Sequence, residues 1–193
     1  MSKIALTPNA SGTGTLTIAA PNTSTDRTLT LPDSTGTIDT LSRAGNVLQV
    51  VQSIYSTYTT STSTTFVDSG ITASITPSST SSKILIFLNP NVGVFRNLNA
   101  GIHGSINIVR DSTQVYQVDG PKLSAGTASD GYIILNSLSC VTYLDSPSTT
   151  SSTTYKMQWR VTPNANSGTI RLNDYMTTSG DSKSSITLME IAA

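Results

Sequence analysis

The stretch that decides the fold is residues 155–161, YKMQWRV, near the C-terminal end of the chain. Apolar and polar residues alternate along it, so Tyr155, Met157, Trp159 and Val161 share one face if the stretch is extended. The opposite face carries lysine, glutamine and arginine, which favour contact with water. This period of two predicts a β-strand in a sheet that is buried on one side and wet on the other.

A second kind of strand is apolar at every position. Residues 84–88 read ILIFL, and residues 132–135 read YIIL. An antiparallel strand with two apolar faces needs cover on both faces, and a two-sheet sandwich supplies cover on only one. Another subunit is a common second cover, so we expect an oligomer; cover by the chain's own loops is the alternative.

Further candidate strands follow at short intervals throughout the second part of the chain. They are residues 47–55, 65–75, 83–88, 102–109, 114–118, 132–144, 154–161, 169–175 and 185–191. Clusters of Ser, Thr, Gly, Asn and Pro separate them, and no segment shows a helical period. The pattern predicts an all-β fold, an antiparallel jelly-roll-like β-sandwich.

Composition excludes several classes of protein. Charged residues make up 11% of the 193 residues, and the formal net charge is zero. Without a basic stripe we expect no nucleic-acid partner. No apolar run approaches the roughly 18 residues of a membrane span, so we expect no membrane insertion. A single cysteine, Cys140, cannot form an internal disulfide or a structural zinc site.

The chain has two regions of different character. Residues 1–45 contain no aromatic residue and include the related units TLTI at 15–18 and TLTL at 28–31. Short repeats of this kind gain stability by stacking on one another rather than by forming their own core. We therefore predict a β-rich N-terminal stem or anchor segment over residues 1–45 and a β-sandwich head over residues 46–193.

Four segments carry a resemblance to a known family. They are residues 28–38 (TLTLPDSTGTI), 45–52 (GNVLQVVQ), 74–86 (SITPSSTSSKILI) and 185–191 (SITLMEI). These segments and their order resemble bacteriophage tail-fibre proteins of the marine and cyanobacterial phage type. The resemblance implies a virion structural protein, a homotrimer with a thin β-rich stem and a C-terminal β-sandwich head.

The function that the resemblance implies is structural and adhesive. A tail fibre projects from the particle and contacts the host cell surface, through a glycan or a protein, while the N-terminal segment joins other virion proteins. Three identical tips would give avidity for a repeated glycan. A capsid decoration or head-fibre protein is a second interpretation, and a glycan-cleaving tailspike is a third; the location is the virion in each case, on the tail or the head surface.

The residues that could carry chemistry favour a protein that is not an enzyme. The acid pairs Asp119 with Asp130 and Asp174 with Asp181 lie in Gly-, Ser- and Asn-rich segments typical of turns. His103 is the only histidine, which leaves a metal site or a catalytic triad short of ligands and bases. We expect no catalytic residue, cofactor or metal, and we expect Cys140 to be a buried, inert thiol within its strand.

Two sets of residues are candidates for other roles. Tyrosine rings near strand ends could stack on a sugar face, and packing at the rim of the sandwich is the alternative. These tyrosines are Tyr55, Tyr58, Tyr116 and Tyr175. Glu190, the only glutamate, lies in the last apolar strand, where we expect a structural ion pair with Arg160 or Arg171.

Overall fold

The structure is a computed structural model of the chain. It describes residues 11–15, 17, 19, 22–26, 28, 43–96, 102–123, 133–138, 140–162, 168–174 and 182–193. The chain divides into two units, Met1–Ile38 and Asp39–Ala193. Much of the predicted stem, including most of the TLTI and TLTL repeats, lies outside the described residues, so the division at residue 45 stays a prediction.

The second unit consists of β-strands in its described parts. The strands are β1 (Val47–Tyr55), β2 (Thr59–Ser61), β3 (Val67–Ile75), β4 (Lys83–Asn89), β5 (Asn91–Arg96), β6 (Ile102–Arg110), β7 (Thr113–Leu123), β8 (Ile133–Leu138), β9 (Val141–Asp145), β10 (Thr153–Val161), β11 (Thr169–Leu172) and β12 (Ser184–Ile191). Within the described residues there is no helix. A search of those same residues for a helix long and apolar enough to cross a membrane finds none.

The strands form three antiparallel sheets. Sheet A has the order β1-β12-β4-β9, sheet B the order β2-β11-β5-β8, and sheet C the order β3-β10-β6-β7. Each strand of sheet B directly precedes or follows a strand of sheet A in the sequence, and the two sheets have corresponding strand orders. Pro90 separates β4 from β5 and has no N–H to donate to a ladder.

Sheets A and B together make one layer of a sandwich and sheet C makes the other. β1 and β12 contact β3, while β5 contacts β6 and β7. If β1 with β2, β4 with β5, β8 with β9 and β11 with β12 each count as one strand, the layers have the orders 1-8-3-6 and 2-7-4-5. This is the order of an eight-stranded jelly roll. The predicted all-β, jelly-roll-like sandwich is confirmed.

The core lies between the two layers. From β10, the residues Tyr155, Met157, Trp159 and Val161 face inward and are at most 2% exposed, as their alternation predicts. Fully buried side chains of sheet A face them, namely Ile84, Ile86, Leu88, Ile186 and Leu188. Each such side chain contributes roughly 1.5–3 kcal/mol of hydrophobic free energy.

Several parts of the strand prediction differ from the structure, including the unpredicted strand β2 and the longer strand β7. The expected strand over residues 132–144 is two strands, β8 and β9, and Cys140 lies between them with an exposed side chain. Cys140 was therefore wrongly predicted to be buried. β5 was not predicted, because Pro90, Asn91 and Gly93 favour a loop; pairing with β8 and β11 holds it in a sheet regardless.

Candidate functional site

Tyr55 lies at the end of β1 and is half-buried. Its ring lies over Gly70 of β3, whose φ is 100°. Its hydroxyl shares a hydrogen bond of 2.8 Å with the hydroxyl of Thr59. Glycine is required at position 70 because a Cβ there would lie 2.7 Å from the tyrosine ring. The ring thus packs on the body of the sandwich.

Tyr58 and Tyr116 present more of their rings to solvent. Tyr58 is 42% exposed and Tyr116 is 37% exposed. Tyr116 also packs against Tyr143, with ring centroids 5.0 Å apart and planes tilted by 31°. Tyr175 lies outside the described residues.

Strand order places Tyr55 and Tyr116 on different sides of the sandwich. Tyr55 belongs to β1, which contacts β3, whereas Tyr116 belongs to β7. β3 and β7 are the two edges of sheet C, three strand spacings or about 14 Å apart. These two rings are therefore not brought together into one sugar-binding platform.

Glu190 is fully buried near the end of β12. Its Oε1 accepts hydrogen bonds from the backbone N–H of Ser78 at 2.7 Å and from the Ser78 hydroxyl at 2.6 Å. Its Oε2 accepts from the side-chain amide of Gln49 at 2.6 Å. Burial opposes ionisation, but these hydrogen bonds outweigh it and lower the pKa of Glu190 to about 2.

The arginines expected beside Glu190 have other contacts. Nη1 of Arg171 donates to Asp174 at 2.9 Å, and its guanidinium lies 3.8 Å from the centroid of the Phe95 ring. Arg160 lies over the ring of Phe66, 4.5 Å from its centroid. The carboxylate of Glu190 therefore accepts from neutral donors in place of the predicted arginine, because Ser78 of the 76–82 loop and Gln49 of β1 lie within hydrogen-bond distance of it.

A buried polar cluster that the sequence did not indicate joins β6, β9 and β10. Asp145 is 5% exposed. Its Oδ2 accepts from the hydroxyl of Tyr155 at 2.6 Å and from Nη1 of Arg110 at 2.7 Å. Burial and the hydrogen bond to this carboxylate raise the pKa of Tyr155 far above its usual value. The cluster fastens the edge strand β9 to sheet C.

Among the residues considered for catalysis or metal binding, those that the structure describes lie in different parts of the sandwich. Asp174 is paired with Arg171, His103 is half-buried in β6, and Cys140 is exposed beside β9. Asp130 and Asp181 lie outside the described residues. Among the residues that the structure describes, no three His, Cys, Asp or Glu side chains are grouped so that they could hold a metal ion.

The outer face of sheet A, turned away from sheet C, is the most unusual surface of the head. Strand register places Val50, Met189, Leu85 and Leu144 side by side in one row across its four strands. Val50 is 55% exposed and Leu144 is 47% exposed. A wet sheet face usually carries polar or charged residues, so an apolar row across all four strands is an exception.

Two more rows lie on this outer face, and a fourth row at its end consists of Val47, Ile191 and Lys83. The second row is Gln52, Thr187, Phe87 and Thr142, and the third is Ile54, Ser185 and Asn89. Ile54 is 62% exposed. No residue in the three rows carries a charge. A shallow depression of about 510 Å³ lies in the middle, lined by Val50, Gln52, Phe87, Asn89, Thr187 and Met189.

The outer face of sheet C has the opposite chemistry. Lys156 forms an ion pair with Asp68 at 2.8 Å, and the side-chain amide of Gln158 donates to the same carboxylate at 2.7 Å. The hydroxyls of Ser74 and Thr154 share a hydrogen bond of 2.8 Å. The two exterior faces of one sandwich therefore differ, and only that of sheet C has the polar pattern of a wet face.

The sequence indicated only part of the outer face of sheet A. The apolar run at 84–88 pointed to Leu85 and Phe87. Val50, Met189 and Leu144 were missed, although each lies at the outward position of a predicted strand. Apolar residues on both sides of the strand at 47–55 were the available signal.

Comparison with known proteins adds little to this description. No protein-family model matches the chain, and no curated protein matches it. Among solved structures, a chain of one described as "Structure of infectious bursal disease virus Gx strain" has 14% sequence identity and a TM-score of 0.30. The match covers 75% of this chain and 37% of that chain, so this chain spans well under half of its length. Overlap at this TM-score is no basis for assigning a function.

Proposed function

We propose that this chain is a structural and adhesive protein of a bacteriophage virion, the subunit of a homotrimeric tail fibre. In this proposal residues 46–193 form the head, which contacts a glycan or protein of the host surface. Residues 1–45 form the stem, which joins other virion proteins. The chain catalyses no reaction and uses no cofactor.

The observation that supports the proposal most is the fold of the head. The resemblance described above implies a C-terminal β-sandwich, and Val47–Ile191 folds as an antiparallel sandwich with jelly-roll order. Its pairings join strands that are far apart in the chain, such as β1 with β12 and β3 with β10. Many simultaneous long-range pairings suit a particle that must persist outside the cell without repair, because they slow unfolding.

The exposed tyrosine rings are the proposed points of host contact. Tyr58 and Tyr116 each expose more than a third of their surface. An aromatic ring with an exposed face can stack on a sugar while its hydroxyl remains in water. Because a fibre repeats each ring in three copies, weak single contacts would add up to firm attachment.

Competition for phage adsorption tests the adhesive part of this proposal. Purified full-length chain is added to host cells before the phage, and free phage is counted over time. We expect saturating protein to lower the adsorption rate at least tenfold, and the Tyr58→Ala and Tyr116→Ala variants to compete less well. Adsorption that is unchanged by the wild-type chain would contradict the adhesive role.

A further inference from the structure

We propose that the outer face of sheet A is the surface on which another copy of this chain packs. This inference rests on the proposed oligomer and names the face through which its subunits meet. Val50, Ile54, Leu85, Phe87, Leu144 and Met189 supply its apolar contacts.

Exposure within the head supports this choice. The exposed large apolar residues of the described chain are Val47, Val50, Ile54, Tyr58, Val67, Tyr116 and Leu144. Val47, Val50, Ile54 and Leu144 belong to the edge strands β1 and β9 of sheet A. Half-buried Leu85, Phe87 and Met189 fill the space between these edges. Exposed apolar side chains that are contiguous, rather than scattered singly, mark interaction sites.

Charge favours a second copy as the occupant. The first three rows of the face contain no charged residue, and the fourth row, Val47, Ile191 and Lys83, adds one lysine at the end of the sheet. Copies of this face can therefore meet with little repulsion between like charges, because the single lysine lies at its end. A nucleic acid would need cations on this face, and an ionised partner would leave its own charge without a counterion once water is excluded.

The size of the face agrees with such a contact. Four strands about 4.8 Å apart, each with about seven residues of 3.4 Å, cover a flat area of roughly 450 Å². A stable interface buries about 800 Å² on each partner. The face thus supplies more than half of that area before side-chain relief is counted.

The mass of the full chain in solution tests this interface. The Val50→Glu/Leu144→Glu variant places two carboxylates on exposed positions at opposite edges of the face. Val67→Glu is the matched control, since Val67 is an exposed valine of sheet C, 36% exposed. We expect the wild type and Val67→Glu to have three times the 20.2 kDa chain mass by light scattering. The double variant should dissociate to single chains, with a dissociation constant raised at least tenfold.

Three results would contradict the inference in different ways. A double variant that keeps the wild-type mass would overturn this interface and leave the proposed fibre intact. A wild-type chain that is monomeric at every concentration would overturn the proposed oligomer as well. A wild-type chain that is monomeric but loses host adsorption in the double variant would identify the face as a receptor site instead.

Cysteine cross-linking decides the question if the glutamate variant does not fold. In a Cys140→Ser background, Val50→Cys and Leu144→Cys are introduced together. Within one chain these positions are three strand spacings or about 14 Å apart, too far for a disulfide, so any bond between them joins two chains. We expect covalent multimers on oxidation and none from Val67→Cys in the same background. Multimers from Val67→Cys alone would place the interface on sheet C.

Discussion

At the scale of single residues, the hydrogen bonds of Glu190 explain the structural role of the only glutamate in the chain. The carboxylate lies in the interior, where Ser78 and Gln49 donate three hydrogen bonds to it. Because β1, the 76–82 loop and β12 converge on one side chain, the charge links three segments that are far apart in sequence.

Replacing Glu190 by glutamine should destabilise the head in a pH-dependent way. The pKa is lowered from 4.5 to about 2, so the ionised carboxylate stabilises the fold above pH 4.5 and loses this effect as the pH falls towards 2. We expect Glu190→Gln to lower the free energy of unfolding by about 2 kcal/mol at neutral pH. Urea unfolding should show the difference between wild type and variant narrowing between about pH 5 and pH 2.

Asp68→Asn is the control for this measurement, because it removes the same charge from a side chain that is 54% exposed. Its effect should stay within about 0.5 kcal/mol. A Glu190→Gln effect that is equally large at both ends of the pH range would contradict the role assigned to the carboxylate.

Gly70 is the second residue whose identity the structure explains. Its φ of 100° would strain any residue that has a Cβ, and the Tyr55 ring occupies the space that a Cβ would need. Gly70→Ala should lower the free energy of unfolding by about 2–3 kcal/mol, from backbone strain together with displacement of the ring. In a Tyr55→Ala background the same substitution should cost less, since only the backbone strain remains. Equal costs in both backgrounds, measured as a double-mutant cycle, would show that the ring contact is irrelevant.

At the scale of the elements, the fold depends on how sheet A passes into sheet B. Asn173 lies just after β11, is fully buried, and has a φ of 54°. Its side-chain amide donates to the carbonyls of Tyr55 and Thr57, and its side-chain oxygen accepts from the hydroxyl of Ser184. One side chain thus fastens the ends of β1, β11 and β12 where the sheets separate.

Substitutions at Asn173 should separate the hydrogen bonds from the backbone conformation. Glycine adopts a positive φ without strain, so Asn173→Gly loses only the three side-chain hydrogen bonds. This variant should lower the free energy of unfolding by about 2 kcal/mol. Asn173→Ala adds strain at positive φ and should cost about 1 kcal/mol more. Thermal and urea unfolding of both variants give the comparison. A stability equal to that of the wild type in Asn173→Gly would show that the junction does not depend on this side chain.

The strands that could be predicted from sequence are those with a clear periodic pattern. β1 was predicted with both of its ends, and β10 with one residue missing at its start. β2, with three residues, is too short to show a period, and β5 carries loop-forming residues that its pairing partners override. The break at Cys140 was missed because no glycine or proline marks it.

At the scale of the whole molecule, the neighbours of a strand could not be predicted. β1 pairs with β12, so Val50 and Met189 meet only because the two ends of the head adjoin. The sequence could indicate that residues 84–88 needed a second cover, but not which residues extend that surface. The Asp145 cluster was hidden for the same reason, since its members come from three strands.

The head should fold without the N-terminal region. The core residues lie within β1 to β12 and their immediate flanks, all after residue 46. Deleting residues 1–45 removes the backbone hydrogen bond from Gly45 N–H to the carbonyl of Ala192, of 2.8 Å, whereas deleting residues 1–38 keeps it. We expect both truncations to melt cooperatively, with the longer deletion about 2–4 °C less stable. Loss of cooperative melting in both would mean that stem and head fold as one unit.

The proposed place of this chain in a virion fibre is tested most directly by immunogold electron microscopy. Antibody raised against the purified chain is applied to intact particles of the parent phage. The proposal predicts gold at the tail or its fibres. Gold spread over the capsid would contradict the tail-fibre assignment in favour of a decoration protein, and particles that carry no gold would contradict a place in the virion.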